Sequence, residues 1–141
     1  MNVDRDTATA SERRVLSMSV DADEGRMARR ALRTFLGECG VPDDRVDDAA
    51  LVMAELVENG CAACAGAAPV QIVLAASPGL VVVAVTNERL PGEREVVLPA
   101  VRMPSPAQPR GRGLPLVALL SARLGVDQSE RTTTVRAELA W

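Results

Sequence analysis

The most constraining feature of the sequence is a long stretch, from residue 43 to about residue 65, whose apolar side chains recur at helical spacing. The stripe consists of Val46, Ala49, Ala50, Met53, Leu56, Val57, Gly60 and Cys61. Glu55 and Asn59 lie one turn apart beside it and project from the same side of the helix. Because burying both groups without partners is costly, they either face a polar ligand or lie on the rim of the helix in water. Facing a ligand, the carboxylate can deprotonate a nucleophile and the amide oxygen can ligate Mg²⁺.

Composition excludes several classes of chemistry. All 16 basic residues are arginine, and the chain has neither lysine nor histidine. A phosphate-loop lysine, a Ser-His-Asp triad, a histidine metal ligand and a phosphorylatable histidine are therefore all ruled out. The net charge of −3 argues against direct nucleic-acid binding. Three cysteines, a polar N-terminus and apolar runs too short for a bilayer predict a cytoplasmic chain without a membrane segment.

The order of predicted elements defines a fold class. Residues 1–11 are expected to form a flexible tail, and residues 12–141 a single domain. Alternation and helical periodicity predict a strand at 13–20, helices up to 38 and at 43–65, and strands at 70–76 and 80–86. A loop at 93–110, a helix at 111–124 and strands at 125–129 and 133–139 follow. We expect an α+β protein: a two-layer α/β sandwich with a mostly antiparallel mixed sheet and three helices on one face.

A second candidate site lies where the last predicted helix begins. Gly111, Arg112, Gly113 and Leu114 open this helix directly after Arg110. Glycines allow close approach of the backbone to a ligand, and the free N–H groups of a first helical turn attract anions. A plain junction between loop and helix is the alternative. A loop as long as 93–110 is typical of a lid, a binding loop or disorder.

Together these features resemble the GHKL, or Bergerat-fold, ATPase superfamily, and more closely the short actinobacterial ATP-binding proteins related to anti-sigma factor serine kinases. The segment Glu55-Leu56-Val57-Glu58-Asn59-Gly60 is similar to the N box of that superfamily. The resemblance implies that Glu55 is the general base and that Asn59 binds Mg²⁺. Residues 111–117 resemble the second glycine box, which wraps the phosphates of ATP. Arg131-Thr132-Thr133-Thr134-Val135 resembles the final strand, which implies that Thr134 lies near the adenine.

The chain departs from the superfamily at the first glycine box. In the family this box follows the central strand as Asp-x-Gly-x-Gly, whereas here Asn87 replaces the aspartate and both glycine positions hold other residues. Gly92 lies one step beyond. An asparagine oxygen can still accept a hydrogen bond from the adenine amino group, although without charge, and a loss of about 1–2 kcal/mol is expected.

The resemblance implies an ATP-dependent, Mg²⁺-dependent serine/threonine protein kinase that regulates transcription. It would phosphorylate an anti-anti-sigma (STAS) partner, sequester a sigma factor, or do both, and related proteins often form homodimers. The alternative is a degenerate GHKL-fold module that binds such partners without phosphotransfer. A histidine-kinase ATPase half fits poorly, because the chain lacks histidine and a preceding dimerisation helix. A domain of this fold that binds no nucleotide is the remaining hypothesis.

Overall fold

The computed structural model describes residues 1–7, 12–63, 69–89 and 113–141. Within these ranges six strands and three helices are formed. In chain order they are β1 (Asn2–Thr7), β2 (Arg14–Val20), α1 (Gly25–Glu38), α2 (Asp43–Ala63), β3 (Val70–Ser77), β4 (Leu80–Glu88), α3 (Gly113–Leu120), β5 (Arg123–Gln128) and β6 (Thr132–Ala140).

The strands form one sheet in the order β1-β2-β3-β4-β6-β5. All five pairings between described strands are antiparallel. Strand β4, which is rich in valine, lies between β3 and β6 and therefore forms part of the centre of the sheet. This arrangement confirms the predicted fold class of a largely antiparallel sheet covered by helices.

The core lies on one face of the sheet, beneath the helices. Along β4 the buried residues Val81, Val83 and Val85 alternate with half-buried ones, and they pair in register with buried residues of β6. Helix α2 packs across β4, with α1 beside it on β2 and α3 beside it towards β5 and β6. The single phenylalanine, Phe35, is buried in α1, so the rest of the core consists of aliphatic and methionine side chains.

Three predicted boundaries are corrected by the structure. Asn2–Thr7, predicted as part of a flexible tail, forms the edge strand β1; residues 8–11 lie outside the described residues. The polar side chains that suggested a tail suit an edge strand, because they discourage pairing with other chains. Helix α3, predicted to reach residue 124, ends at Leu120, and β5, predicted to begin at residue 125, begins at Arg123. The reason is that residues 123 and 124 already pair with β6.

The start of α1 is held by contacts other than a side-chain cap. Glu24 occupies the N-cap position, and its side chain forms no capping bond. The Glu24 carboxylate instead accepts a hydrogen bond from the Asp21 N–H at 3.0 Å and pairs with the Met1 amino group at 2.9 Å. This ion pair links the start of β1 to the start of α1.

The only tryptophan of the sequence, Trp141, follows β6 at the β3–β4 turn. Its backbone N–H donates to the Gly79 carbonyl at 3.1 Å. Its indole Nε1 is buried and meets no acceptor within the described part of the chain. Trp141 therefore lies at the end of the sheet opposite to Asn87 and Thr133.

Candidate functional site

Glu55 and Asn59 lie on the flank of α2 that faces α3, as shown by their position relative to Gly113, the first residue of α3. A Cβ atom built on Gly113 would lie 2.9 Å from Glu55 Oε2 and 3.2 Å from Asn59 Nδ2. Only glycine leaves both side chains in place at this distance. The structure thus brings together the two residues of the predicted N box and one glycine of the second predicted motif.

Glu55 is an unusual carboxylate. It is partly buried, and neither it nor Asn59 makes a hydrogen bond or an ion pair within the residues that the structure describes. Burial, and then the charge of nearby Glu58, raise the pKa of Glu55 above its ordinary value of 4.5. A raised pKa makes the ionised carboxylate a stronger base, which is the property that a general base requires.

Asn59 is exposed and its carboxamide oxygen is available to a cation. Among the described residues there is no group of three or more His, Cys, Asp or Glu side chains that could hold a metal ion. Mg²⁺ is commonly held by one or two protein ligands together with substrate phosphates and water. The residues present therefore fit a magnesium ion that Asn59 would share with a nucleotide, and they do not form a protein-only metal site.

Asn87 and Thr133 are buried polar residues at the end of the sheet opposite to Trp141. They are directly paired between β4 and β6, and their exposed fractions are only 7% and 2%. Asn87 Nδ2 donates to the Glu88 carbonyl at 3.0 Å, and its Oδ1 atom is an acceptor that receives no hydrogen bond from the described residues. Gly60 of α2 lies above Asn87, since a Cβ built there would lie 3.7 Å from Asn87 Cβ and 3.0 Å from Val70 Cγ1.

Thr134, which the resemblance places near the adenine, and its neighbour Thr133 lie on opposite faces of the sheet. Thr134 points to the face of the sheet without helices, where its hydroxyl shares a 2.6 Å hydrogen bond with Thr86. Thr133 points to the helix side, in step with buried Val135. The strict alternation of β6 from Val135 to Leu139 was the signal in the sequence that identifies the inward-facing threonine.

Arg89 is a structural residue that the sequence did not reveal. Its backbone N–H donates to the Arg131 carbonyl and its guanidinium to the Ser129 carbonyl, both at 2.7 Å. It thereby fastens the end of β4 to the β5–β6 turn, close to Asn87. The segment that replaces the first glycine box is therefore anchored to the sheet where it begins.

Several predicted site residues cannot be placed. Gly92, Arg110, Gly111 and Arg112, and the predicted lid at 93–110, lie outside the described residues. Leu114, in the first turn of α3, is partly buried and packs against the core. Its side chain has a structural role, and any contact with phosphate would come from its backbone N–H.

Comparison with known families agrees with this geometry. Residues 18–139 match the histidine kinase-like ATPase domain, and the chain belongs to that family. The predicted membership of the GHKL superfamily is thereby confirmed. ATP is the ligand class that this family implies.

The fold is also found in a solved structure of low sequence similarity. A chain of the crystal structure of the SiaB–SiaC complex from Pseudomonas aeruginosa superposes with a TM-score of 0.65 at 15% identity. The match covers 87% of this chain and 89% of that one. No curated protein matches the sequence significantly. None of the helices in the described ranges has the length and apolar character needed to cross a bilayer.

Proposed function

We propose that the chain is an ATP-dependent serine/threonine protein kinase of the anti-sigma factor type, acting on a STAS-domain partner. One observation carries the proposal: the Glu55 carboxylate has a raised pKa and no partner among the described residues, and it lies beside Asn59 under the first residue of α3. A carboxylate whose only role is structural would be expected to have an ion-pair or hydrogen-bond partner when it is partly buried.

Each residue has a defined task in this reaction. Glu55 takes the proton of the acceptor hydroxyl while the hydroxyl oxygen forms a bond to the γ-phosphorus of ATP. The bond between the γ-phosphorus and the bridging oxygen breaks, and ADP leaves with that oxygen. Asn59 would hold Mg²⁺, which supplies charge neutralisation at the phosphates. The N–H groups of the first turn of α3 bind phosphate oxygens, and Asn87 Oδ1 accepts from the adenine amino group beside Thr133.

The first test is calorimetric titration with Mg²⁺-ATP. We expect binding in the micromolar range, weakened about tenfold or more in Asn59→Ala, because an N-box asparagine is the proposed protein ligand of Mg²⁺. Asp127→Asn is the control, because Asp127 is exposed on β5 and points to the face without helices. Equal affinity of wild type and Asn59→Ala would contradict the magnesium assignment.

The second test is phosphotransfer to purified STAS-domain proteins from the genome that encodes the chain. We expect labelled phosphate on a serine or threonine of one of them, and a loss of about 100-fold or more in Glu55→Gln, the scale of general-base catalysis. Unchanged transfer by Glu55→Gln would refute the role of Glu55.

The second candidate function is capture of a STAS protein or a sigma factor without phosphotransfer. It is favoured by Asn87, an uncharged residue at the position where the family has an aspartate that recognises adenine. Stable complex formation with no ATP binding at millimolar nucleotide would support this alternative and contradict the kinase.

A further inference from the structure

A groove runs between α1 and α2, on the flank of α2 opposite to α3. Its volume is about 340 Å³. Its floor is apolar, formed by Ala28, Met53, Ala54 and Val57, while Arg29 stands on one wall and Glu58 on the other. Neither of these two charged side chains forms an ion pair within the described residues, so both charges are available to another molecule. A groove of this composition fits an inserted apolar side chain flanked by charges.

The α1 wall of the groove carries a basic surface. Arg26, Arg29 and Arg30 are exposed on α1 and none has an ion-pair partner in the part of the chain that the structure describes. By contrast Arg33, one turn further, is neutralised by Asp47 at 2.7 Å. Three uncompensated arginines on a chain of net charge −3 favour acidic groups on whatever binds here.

An exposed apolar residue connects the groove with the proposed base. Leu51 of α2 is 41% exposed and lies one turn before both Ala54, which lines the groove, and Glu55. The groove and the Glu55 carboxylate therefore lie on the two flanks of one helical ridge. The ridge is about 10–12 Å across, which an extended chain spans in about four residues at about 3.3 Å per residue.

We propose that this groove docks the protein that is phosphorylated, through a segment with an apolar anchor flanked by carboxylates and with the acceptor hydroxyl about four residues away. The inference rests on the proposed function. In this arrangement the carboxylates of the segment meet Arg26, Arg29 and Arg30, and its apolar anchor fills the groove. The segment then crosses the ridge over Leu51, and its hydroxyl reaches Glu55.

The test is calorimetric titration of the full chain, without nucleotide, with the synthetic peptide Asp-Asp-Leu-Asp-Ala-Ala-Ser-Gly. We expect Ala54→Trp, which fills the groove, to weaken binding at least about tenfold. Arg29→Glu should have a similar effect, and a peptide with lysine in place of aspartate should bind this variant better than the original peptide does, because the charges are exchanged. Replacing the leucine of the peptide by glycine should also weaken binding at least about tenfold.

Arg123→Glu is the matched control, because Arg123 is an exposed arginine of β5 without a partner among the described residues. It should bind the peptide as the wild type does. Peptide affinity that Ala54→Trp and Arg29→Glu leave unchanged, or no binding at about 1 mM peptide, would overturn the docking proposal. A dimer in sedimentation that Ala54→Trp dissociates would identify a second copy as the occupant and would overturn it as well.

The two proposals fail separately. Titration of Ala54→Trp and Arg29→Glu with Mg²⁺-ATP should give the wild-type affinity, since both side chains line the groove on the flank of α2 opposite to α3. If the wild-type chain does not bind Mg²⁺-ATP, the kinase proposal is contradicted. The peptide titration then still decides whether the groove binds an acidic segment.

Discussion

At the scale of single residues, the candidate site contains two polar side chains that are wholly or partly removed from water. Glu55 is partly buried with no partner in the described chain, and Asn87 is 7% exposed, with its Nδ2 atom bonded to the Glu88 carbonyl. A buried polar group without a partner costs stability, and in the proposed function a ligand would supply partners to both side chains. Both can therefore be tested by substitutions that change charge and leave shape nearly unchanged.

Glu55→Gln should stabilise the free protein at neutral pH. Since folding raises the pKa of Glu55, the folded state holds its proton more tightly, and the unfavourable contribution grows as pH rises from the ordinary pKa to the raised one. Glutamine carries no charge, so the variant should unfold at a higher temperature than wild type at pH 7. The two should converge at about pH 4, below the ordinary pKa of glutamate. Thermal unfolding at both pH values measures this; a difference that is independent of pH would contradict the assignment.

Asn87→Asp should change affinity and stability in opposite directions. A charged acceptor strengthens the hydrogen bond to the adenine amino group, so Mg²⁺-ATP should bind up to about tenfold more tightly, equivalent to about 1.4 kcal/mol. Without nucleotide, the second carboxylate oxygen would face the Glu88 carbonyl in a site that is 7% exposed. We therefore expect a loss of about 1–3 kcal/mol in the free energy of unfolding. Calorimetry and urea denaturation measure the two effects, and no gain in affinity would refute the adenine assignment.

At the scale of elements, the site is formed where α2, α3 and the β4–β6 pair come within one side chain of each other. Two glycines lie at these contacts: Gly60 lets the end of α2 approach β3 and β4, and Gly113 leaves the ends of the Glu55 and Asn59 side chains in their places. Which polar side chains face the helices depends on the face of the strand that carries them, as Thr133 and Thr134 of β6 show.

Gly113→Ala should impair the site without unfolding the protein. The added Cβ would displace the Glu55 carboxylate and the Asn59 amide, so Mg²⁺-ATP affinity should fall about tenfold. The free energy of unfolding should change by less than about 1 kcal/mol, because alanine is the better helix former. Gly37→Ala is the control, since a Cβ there meets nothing within 4 Å. Equal ATP affinity in the two variants would show that the close approach has no functional role.

Thr133→Val and Thr134→Val form a matched pair on opposite faces of β6. Thr133→Val should weaken ATP binding several-fold, because its hydroxyl lies on the helix side beside Asn87. Thr134→Val should leave ATP affinity unchanged and cost about 1 kcal/mol of stability through the lost hydrogen bond to Thr86. Calorimetric titration of both variants gives the answer, and the reverse order of effects would restore Thr134 as the nucleotide-side residue.

At the scale of the whole molecule, local patterns predicted most of the fold and only part of the site. Glu55 and Asn59 could be paired from the sequence because helical spacing alone places them together. The faces on which Thr133 and Thr134 lie follow from the alternation of β6, which the resemblance of motifs does not use. Strand β1 was missed because an edge strand can be as polar as a tail. The anchoring of Arg89 to Ser129 joins residues forty positions apart, and no local pattern specifies such a contact.

Ligand binding should stabilise the molecule as a unit, because the site draws on α2, α3, β4 and β6 together. At a free Mg²⁺-ATP concentration of about 100 times the dissociation constant, the free energy of unfolding should rise by about 2.7 kcal/mol. Urea denaturation followed by circular dichroism measures this. At the same ligand concentration Asn59→Ala should gain less, and an equal gain in both proteins would contradict binding through Asn59.

The position of Trp141 gives the protein a built-in optical reporter. It is the only tryptophan, the chain has no tyrosine, and it is fastened to Gly79 at the end of the sheet remote from Asn87 and Thr133. Its emission at long excitation wavelength should therefore respond to loss of the sheet and stay nearly silent when nucleotide binds. Agreement between the emission midpoint and the circular-dichroism midpoint would then show whether the two ends of the molecule unfold together.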